Sequence, residues 1–403
     1  MFRIRGLGQL TISTLFSRIG TQMFAVLIVL FVLSVYHSPA FSGIVILCSQ
    51  LPGILFSPIA GALLDRGAKV PLMALDYGIE ATAIGLIGGL SMAGDLSRTM
   101  LLVIALLGSF TQPLSRVGAR TLYPIIVPKP LWDRTNALDS GSQLTATVLG
   151  PVAAGVAVAA VGARSAMVIV AAVFFLASVA LVGVRLPASG TGSDQPLLRD
   201  ARDAVAYVFS NRVLRMLAGS LTLYSAAQNG VLIAVPYLVL HRIHGTSTAV
   251  GLVIAVFGIA GFAGGLAAGR MGTAGREKRI IARSCFISGA AFVVMSTAHG
   301  YLLLVATMAI IGIATAPMTV AMFSLRQRAT DPAWYGRAFA VSMNLNYGLT
   351  PATAAVIGAI LSHSISEAFI FMGVVAAVAG IWPAILPAAY YRPVTDHSLP
   401  ATT

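Results

Sequence analysis

The stretch LTISTLFSRIGTQMFAVLIVLFVLSV, residues 10–35, contains a single charged side chain, Arg18. At about 1.5 Å per residue a helix of this length rises about 39 Å, enough to cross a hydrocarbon layer of about 30 Å. The run is longer than the apolar core of a secretory leader, and no small-residue cleavage site follows it. It reads as a retained membrane helix. Eleven further runs of this kind follow, near 41–64, 71–93, 99–121, 135–160, 163–184, 213–239, 249–271, 280–298, 300–324, 337–361 and 366–390. No ten-residue segments alternate apolar and polar residues, which argues against a β-barrel. The expected fold is an all-α membrane protein with twelve transmembrane helices.

Composition leads to the same class. Hydrophobic residues make up 57% of the 403 residues and charged residues only 10%, against roughly 25% charged in soluble domains. The mean hydropathy is +0.88. So few charges cannot cover a surface facing water, so most of the surface must face lipid. A net charge of +13 would point to nucleic acid in a soluble chain. Here the positions of the basic residues explain it, and no nucleic-acid partner is expected. With a cytoplasmic N-terminus, 22 of the 26 basic residues fall in inner loops or at inner helix ends. Only Arg98, Arg164 and Arg242 fall outside, and Arg18 lies within the first helix. Basic residues collect in cytoplasmic loops, so both termini are expected in the cytoplasm and the chain in the plasma (inner) membrane, as a multi-pass protein.

The longest connection, 185–212, opens with Pro187, Gly190 and Gly192 and then becomes amphipathic over Leu197–Phe209. Leu198, Ala201, Val205 and Val208 share one face of a helix, which suits the inner membrane surface. The expected organisation is a first six-helix bundle over 1–184, a linker over 185–212, a second bundle over 213–390 and a tail over 391–403.

The two bundles repeat one another at an offset of 200–204 residues. Gly61-Ala-Leu-Leu-Asp65-Arg66 aligns with Gly265-Leu-Ala-Ala-Gly269-Arg270, Gly108-Ser-Phe-Thr-Gln-Pro113 with Gly312-Ile-Ala-Thr-Ala-Pro317, and Gly150-Pro151 with Thr350-Pro351. Parallel repeats of this sort build transporters whose solute site lies at the midplane between the halves, which rock around it.

With these matches the chain resembles the major facilitator superfamily over nearly its full length. Gly61, Asp65, Arg66 and Lys69 are similar to that family's signature loop between helices 2 and 3, whose Asp and basic residues lock the inner gate. In the second half Gly269 stands where the Asp would be. Gly150-Pro151-Val-Ala-Ala-Gly155 resembles the antiporter motif of its drug-exporting branches. Asn136-Ala-Leu-Asp139-Ser140 and the central Asp200–Arg215 stretch are similar to exporters of the macrolide-efflux and enterobactin-export type. The resemblance implies a proton-coupled exporter of drugs or siderophores that works by alternating access as a monomer. Its analogy makes Asp65, Asp76, Arg116, Arg120 and Asp139 a charge network at the inner gate.

Ionisable groups at membrane depth are costly and mark function or pairing. Arg18 and Glu80 are the candidates for proton coupling, with a static Arg18–Glu80 ion pair as the competing reading. Asp76 lies one turn before Glu80 on the same face. Gln22, Gln228, Asn229, Asn344 and Tyr347 are polar groups within apolar helices that correspond to cavity-lining helices of the resembled family. They are the candidate cavity lining, with Arg116 a further contact for an anionic solute.

Other chemistry finds no foothold. Cys48 and Cys285 stand alone in apolar stretches and form neither a disulfide framework nor a metal site. His241-x-x-His244 has no third ligand nearby. No phosphate loop and no clustered catalytic motif appears, so an enzyme is not expected and no cofactor is implied. The alternatives to an exporter are a nutrient importer or facilitator, or a lysolipid flippase of the same fold. The solute, with protons and membrane lipids, completes the list of expected partners.

Overall fold

The computed structural model of the chain describes residues 6–66, 69–128, 131–182, 184, 197–271, 275–331 and 334–385. They form fifteen helices: α1 (Leu7–Tyr36), α2 (Pro39–Arg66), α3 (Lys69–Ala93), α4 (Arg98–Ser109), α5 (Gln112–Ile126), α6 (Trp132–Ala180), α7 (Leu197–Ser210), α8 (Arg212–Asn229), α9 (Val231–His241), α10 (Ser247–Met271), α11 (Glu277–Met295), α12 (Tyr301–Ala329), α13 (Tyr335–Gly348), α14 (Thr350–Leu361) and α15 (Ile365–Ile385). Among the described residues, nine helical stretches are long and apolar enough to cross a membrane by length and composition.

The apolar runs and the helices do not map one to one, and the departures have local causes. The run 99–121 divides into α4 and α5, where Pro113 in the first turn of α5 supplies no backbone N–H. The run 337–361 divides into α13 and α14 at Pro351 for the same reason. The run 213–239 divides at Gly230, which presses so closely on Ile357 that a Cβ would overlap it. In the other direction, runs 135–160 and 163–184 join into α6 through Gly162, whose φ of 79° and ψ of 161° are open to glycine. At 49 residues, α6 if straight would measure about 74 Å, more than twice the hydrocarbon thickness. Gly162 is where the chain turns. α11 misses the apolar standard because Glu277, Lys278, Arg279 and Arg283 crowd its first two turns.

α1 is the central helix of the first group. Its eight consecutive residues Val26–Leu33 are all buried, and a helix apolar on every side belongs inside a bundle. By contrast Phe175 and Val182 on α6 and its extension, Leu266 on α10 and Val374 on α15 keep half or more of their surface open, as lipid-facing side chains do. α1–α6 pack chiefly among themselves, as do α8–α15. α7 docks on the second group. The Tyr207 ring stacks on Trp334 at 4.9 Å, and the Tyr207 hydroxyl accepts from the Asp331 N–H at 3.0 Å. Asn211 ends the linker by capping α8 through Val213 and Leu214 and donating to the Ala329 carbonyl at 2.9 Å.

Candidate functional site

The two helix groups meet along two seams, α6 against α10 and α2 against α14. Glycine makes each seam possible. A Cβ on Gly155 would overlap the Ser247 carbonyl, and one on Gly251 the Pro151 carbonyl. Ser247 Oγ donates across to the Gly155 carbonyl at 3.1 Å. On the other seam a Cβ on Gly43 would overlap the Ala354 carbonyl, and one on Gly358 would sit 2.6 Å from the Pro39 carbonyl. The repeat offset carries Gly43 to position 247 and Gly155 to position 355. The seams are therefore counterparts, and the Gly155–Ser247 contact of one corresponds to the Ala355–Gly43 contact of the other, with the glycine on the other helix. Both lie at the Pro39 end of α2, the Leu361 end of α14, the Ser247 end of α10 and beside Gly155. Nearer the Trp132 end of α6, Gly141 is exposed, with open space where a Cβ would stand.

Between the groups lies a cavity of about 130 Å³. Gln22 and Gln228 face it, with Thr147 and Pro151 of α6 and an apolar wall that includes Leu232, Ile254, Phe257 and Met308. Gln22 Nε2 donates to Thr147 Oγ1 at 3.2 Å, tying α1 to α6. Gly150 permits this approach, because a Cβ there would overlap Gln22 Cβ. Pro151 lacks an N–H, so the Thr147 carbonyl loses its helical donor beside the cavity. The Gly150-Pro151 pair thus serves close packing and an opened backbone group at one place.

The remaining candidate lining residues lie off this wall. Asn229 spends its amide on the Thr350 carbonyl at 3.1 Å. Asn344 and Tyr347 are exposed, Tyr347 to 55%, on the face of α13 opposite buried Ser342 and Asn346. Arg116 is exposed on α5, where Nη2 donates to Gln112 Oε1 at 3.3 Å. Tyr224 is buried, and its hydroxyl hydrogen-bonds Thr315 at 2.7 Å and Ser288 at 2.9 Å.

The charges at depth sort differently from expectation. Arg18 pairs with Asp139 rather than Glu80: Nη2 donates to Asp139 Oδ1 at 2.6 Å, and Nη1 to the Asp139 carbonyl at 2.7 Å and to Ser142 Oγ. The cause is packing, since α1 lies along α6 and makes far less contact with α3. Asp139 accordingly belongs to this pair and not to a cluster with Asp76. Asp76 is fully buried, and its carboxylate faces the Thr111 hydroxyl and the Ser115 hydroxyl and N–H at the start of α5, with no hydrogen bond of full geometry among the described residues. Half-buried Glu80 stands one turn on, and Arg116 lies within electrostatic reach of both. Lys69 opens α3, half-buried. Gly61, Asp65 and Arg66 fall in the last turns of α2, but their side chains and that of Arg120 lie outside the described residues.

A second polar cluster was not foreseen. Arg326, which reads in the sequence as an inner-loop charge, is fully buried near the end of α12 and lies over the Phe339 ring at 5.4 Å. With its amide oriented to satisfy both groups, Asn346 accepts from Arg326 Nη2 at 3.1 Å and donates to the Ser342 carbonyl at 3.0 Å. Two residues beyond Arg326, Arg328 pairs with buried Glu277 at 3.1 Å.

Two groups of apolar helices, seamed by glycine and enclosing a cavity lined by amides and hydrophobic side chains, define a membrane transporter. The chain belongs to the Major Facilitator Superfamily, whose profile it matches over residues 10–347 and 217–402. It is a multi-pass protein of the plasma membrane. It is 34% identical over 391 residues to an uncharacterised MFS-type transporter, y4rN, of Sinorhizobium fredii (strain NBRC 101917 / NGR234), with 96% of each chain covered. Among solved structures, the nucleoside transporter NupG superposes with a TM-score of 0.75 at 14% identity, covering 95% of this chain and 99% of that one. A POT family transporter in complex with a thioalcohol-conjugated peptide superposes with a TM-score of 0.75 at 11% identity, covering 93% and 94%. At these identities the solved structures speak to the fold alone.

Proposed function

We propose that the chain is a proton-coupled exporter of small amphipathic compounds, of the drug or siderophore efflux type, working by alternating access. The observation that carries the reading is the cavity between the two helix groups, where Gln22 and Gln228 are set in a wall of Phe257, Ile254, Leu232 and Met308. Such a wall suits a solute with a large apolar part and few hydrogen-bonding groups. A sugar or amino-acid importer calls for a denser ring of polar groups. The volume of about 130 Å³ is below the roughly 300 Å³ that a drug-sized ligand needs, so the solute site is completed as the groups move apart.

The proposed topology has twelve crossings. α4–α5, α8–α9 and α13–α14 each cross once, α6 crosses twice about Gly162, and α11 crosses despite its charged first turns. Both termini are cytoplasmic, with bundles over 1–184 and 213–390 and a linker over 185–212. Both glycine seams then lie at the outer side, and the conformation is open to the cytoplasm. Protons act at the α3 carboxylates. A buried charge is costly unless it is supported, so Asp76 carries either a proton or a charge held by Thr111, Ser115 and the nearby Arg116. Glu80 remains the coupling candidate at greater depth, and Arg18 positions α1 through Asp139.

The test is uptake by everted membrane vesicles with an acid interior, supplied with lipophilic drugs and siderophores. Accumulation of a panel compound that collapses with nigericin supports the reading. Accumulation that ignores the pH gradient, or outward loss of a nutrient in its place, overturns it.

A further inference from the structure

A second recess lies away from the solute cavity, in the second helix group. It has a volume of about 410 Å³ and lies between the first three turns of α8, the end of α13 and the last turns of α15. Its walls are apolar: Leu223, Leu345, Leu349, Val378 and Trp382, with Phe209 of α7 at one end. The hydroxyls on these walls are already used within the protein. Ser220 donates to the Ala379 carbonyl at 2.6 Å, and Thr222 to the Ala218 and Leu345 carbonyls at 2.6 and 2.8 Å. Gly219 keeps the floor low, since a Cβ there would meet the Trp382 ring at 2.6 Å. Leu349, Val378 and Trp382 remain 46%, 46% and 37% exposed, so the mouth opens at the surface of the protein, and the recess shares no lining residue with the central cavity.

At the end of this trough nearest the linker stands Arg215. Its Nη1 donates to the Phe209 carbonyl at 3.0 Å. A guanidinium carries five N–H donors, and the others have no hydrogen-bond partner among the described residues. Arg202 and Arg212 are exposed nearby in sequence. From Arg215 to Leu223 the trough follows α8 for about 12 Å, within one leaflet of a hydrocarbon core of about 30 Å. An apolar channel of leaflet depth, open to the side and ending at a half-buried guanidinium, has the chemistry of an acyl chain below an anionic phosphate.

We propose that this groove holds an acyl chain of an anionic phospholipid of the cytoplasmic leaflet, with the lipid phosphate on Arg215. The inference rests on the topology proposed above. It is tested without solute or gradient, so a failed transport assay leaves it standing. Occupancy there wedges a lipid between α8, α13 and α15, beside the docked linker helix.

The experiment uses the full chain reconstituted in nanodiscs of phosphatidylcholine with a minor fraction of dibrominated phosphatidylglycerol or dibrominated phosphatidylcholine. Bromine quenches tryptophan on contact, and Trp382 is one of three tryptophans with Trp132 and Trp334. Its signal is the difference between the wild type and Trp382→Phe. Both lipids carry a phosphate, but only phosphatidylglycerol lacks a compensating choline cation. One basic residue against a net-anionic lipid is worth about 1 kcal/mol, so brominated phosphatidylglycerol should occupy the groove about fivefold better than phosphatidylcholine. That preference should vanish in Arg215→Gln and persist in Arg215→Lys, whose persistence also reports a folded site. Equal quenching by both lipids in the wild type overturns the proposal, as does an unchanged preference in Arg215→Gln. Displacement of the brominated lipid by a soluble drug of the transport panel overturns it in favour of a solute entry path.

Discussion

Arg18 on α1 and Asp139 on α6, 121 residues apart in the chain, form an ion pair at 2.6 Å with side-chain exposures of 15% and 22%. The guanidinium also engages the Asp139 carbonyl and Ser142, so its planar fork and not merely its charge is in use. One turn further along α1, Gln22 faces the cavity. The pair therefore sets the position of a cavity wall from below.

Removing one partner of a mostly buried pair leaves the other charge stranded. Arg18→Ala should lower the melting temperature more than Arg18→Ala/Asp139→Ala does, with a coupling energy of about 1–3 kcal/mol in a double-mutant cycle. Arg18→Lys should rescue little, because an ammonium cannot reproduce the fork. Additive effects of the two single changes would show that the pair carries no energy.

Gly150→Ala tests the approach of α1 to α6. The added methyl would overlap Gln22 Cβ, and overpacking of this kind costs about 1–3 kcal/mol. Reduced thermal stability and weakened efflux are expected together. A variant with wild-type stability and transport would mean that Gly150 serves neither packing nor the cavity.

The glycine seams invite a change of state. Gly251→Leu and Gly43→Leu should hold the groups apart at the outer side, by driving a side chain into the Pro151 and Ala354 carbonyls. A cysteine at Gln22, in a background lacking Cys48 and Cys285, should then react faster with a membrane-impermeant maleimide added from outside. Unchanged or slower labelling would contradict an outer closure made by these seams.

Much of this was readable before any fold was known. Gln22 and Gln228 stood out because amides are rare in apolar helices, and both line the cavity. Gly150-Pro151 stood out as a pair that allows close approach, and it lies against Gln22. What stayed hidden depended on long-range packing. Nothing in the pattern around Arg18 tells whether its partner is Glu80 or Asp139, since that turns on which helix α1 packs along. Arg326 resembles any loop arginine in sequence, and only the closing of α13 over α12 buries it. Phe257 and Met308 carry no signal among so many apolar residues. The joining of two runs into α6 follows from the φ of one glycine, Gly162, which a hydropathy pattern does not reveal.

The most direct measurement of the central claim is solute-driven proton movement in proteoliposomes loaded with a pH dye, for the wild type and for Glu80→Gln, Asp76→Asn and Gln22→Ala. The account predicts a pH change on adding a panel drug or siderophore, abolished by a change at one of the α3 carboxylates, while solute binding survives. In Gln22→Ala binding itself should weaken, with proton movement falling in proportion. Folded wild-type protein that moves the solute with no proton movement, or full coupling in both Glu80→Gln and Asp76→Asn, would contradict the account.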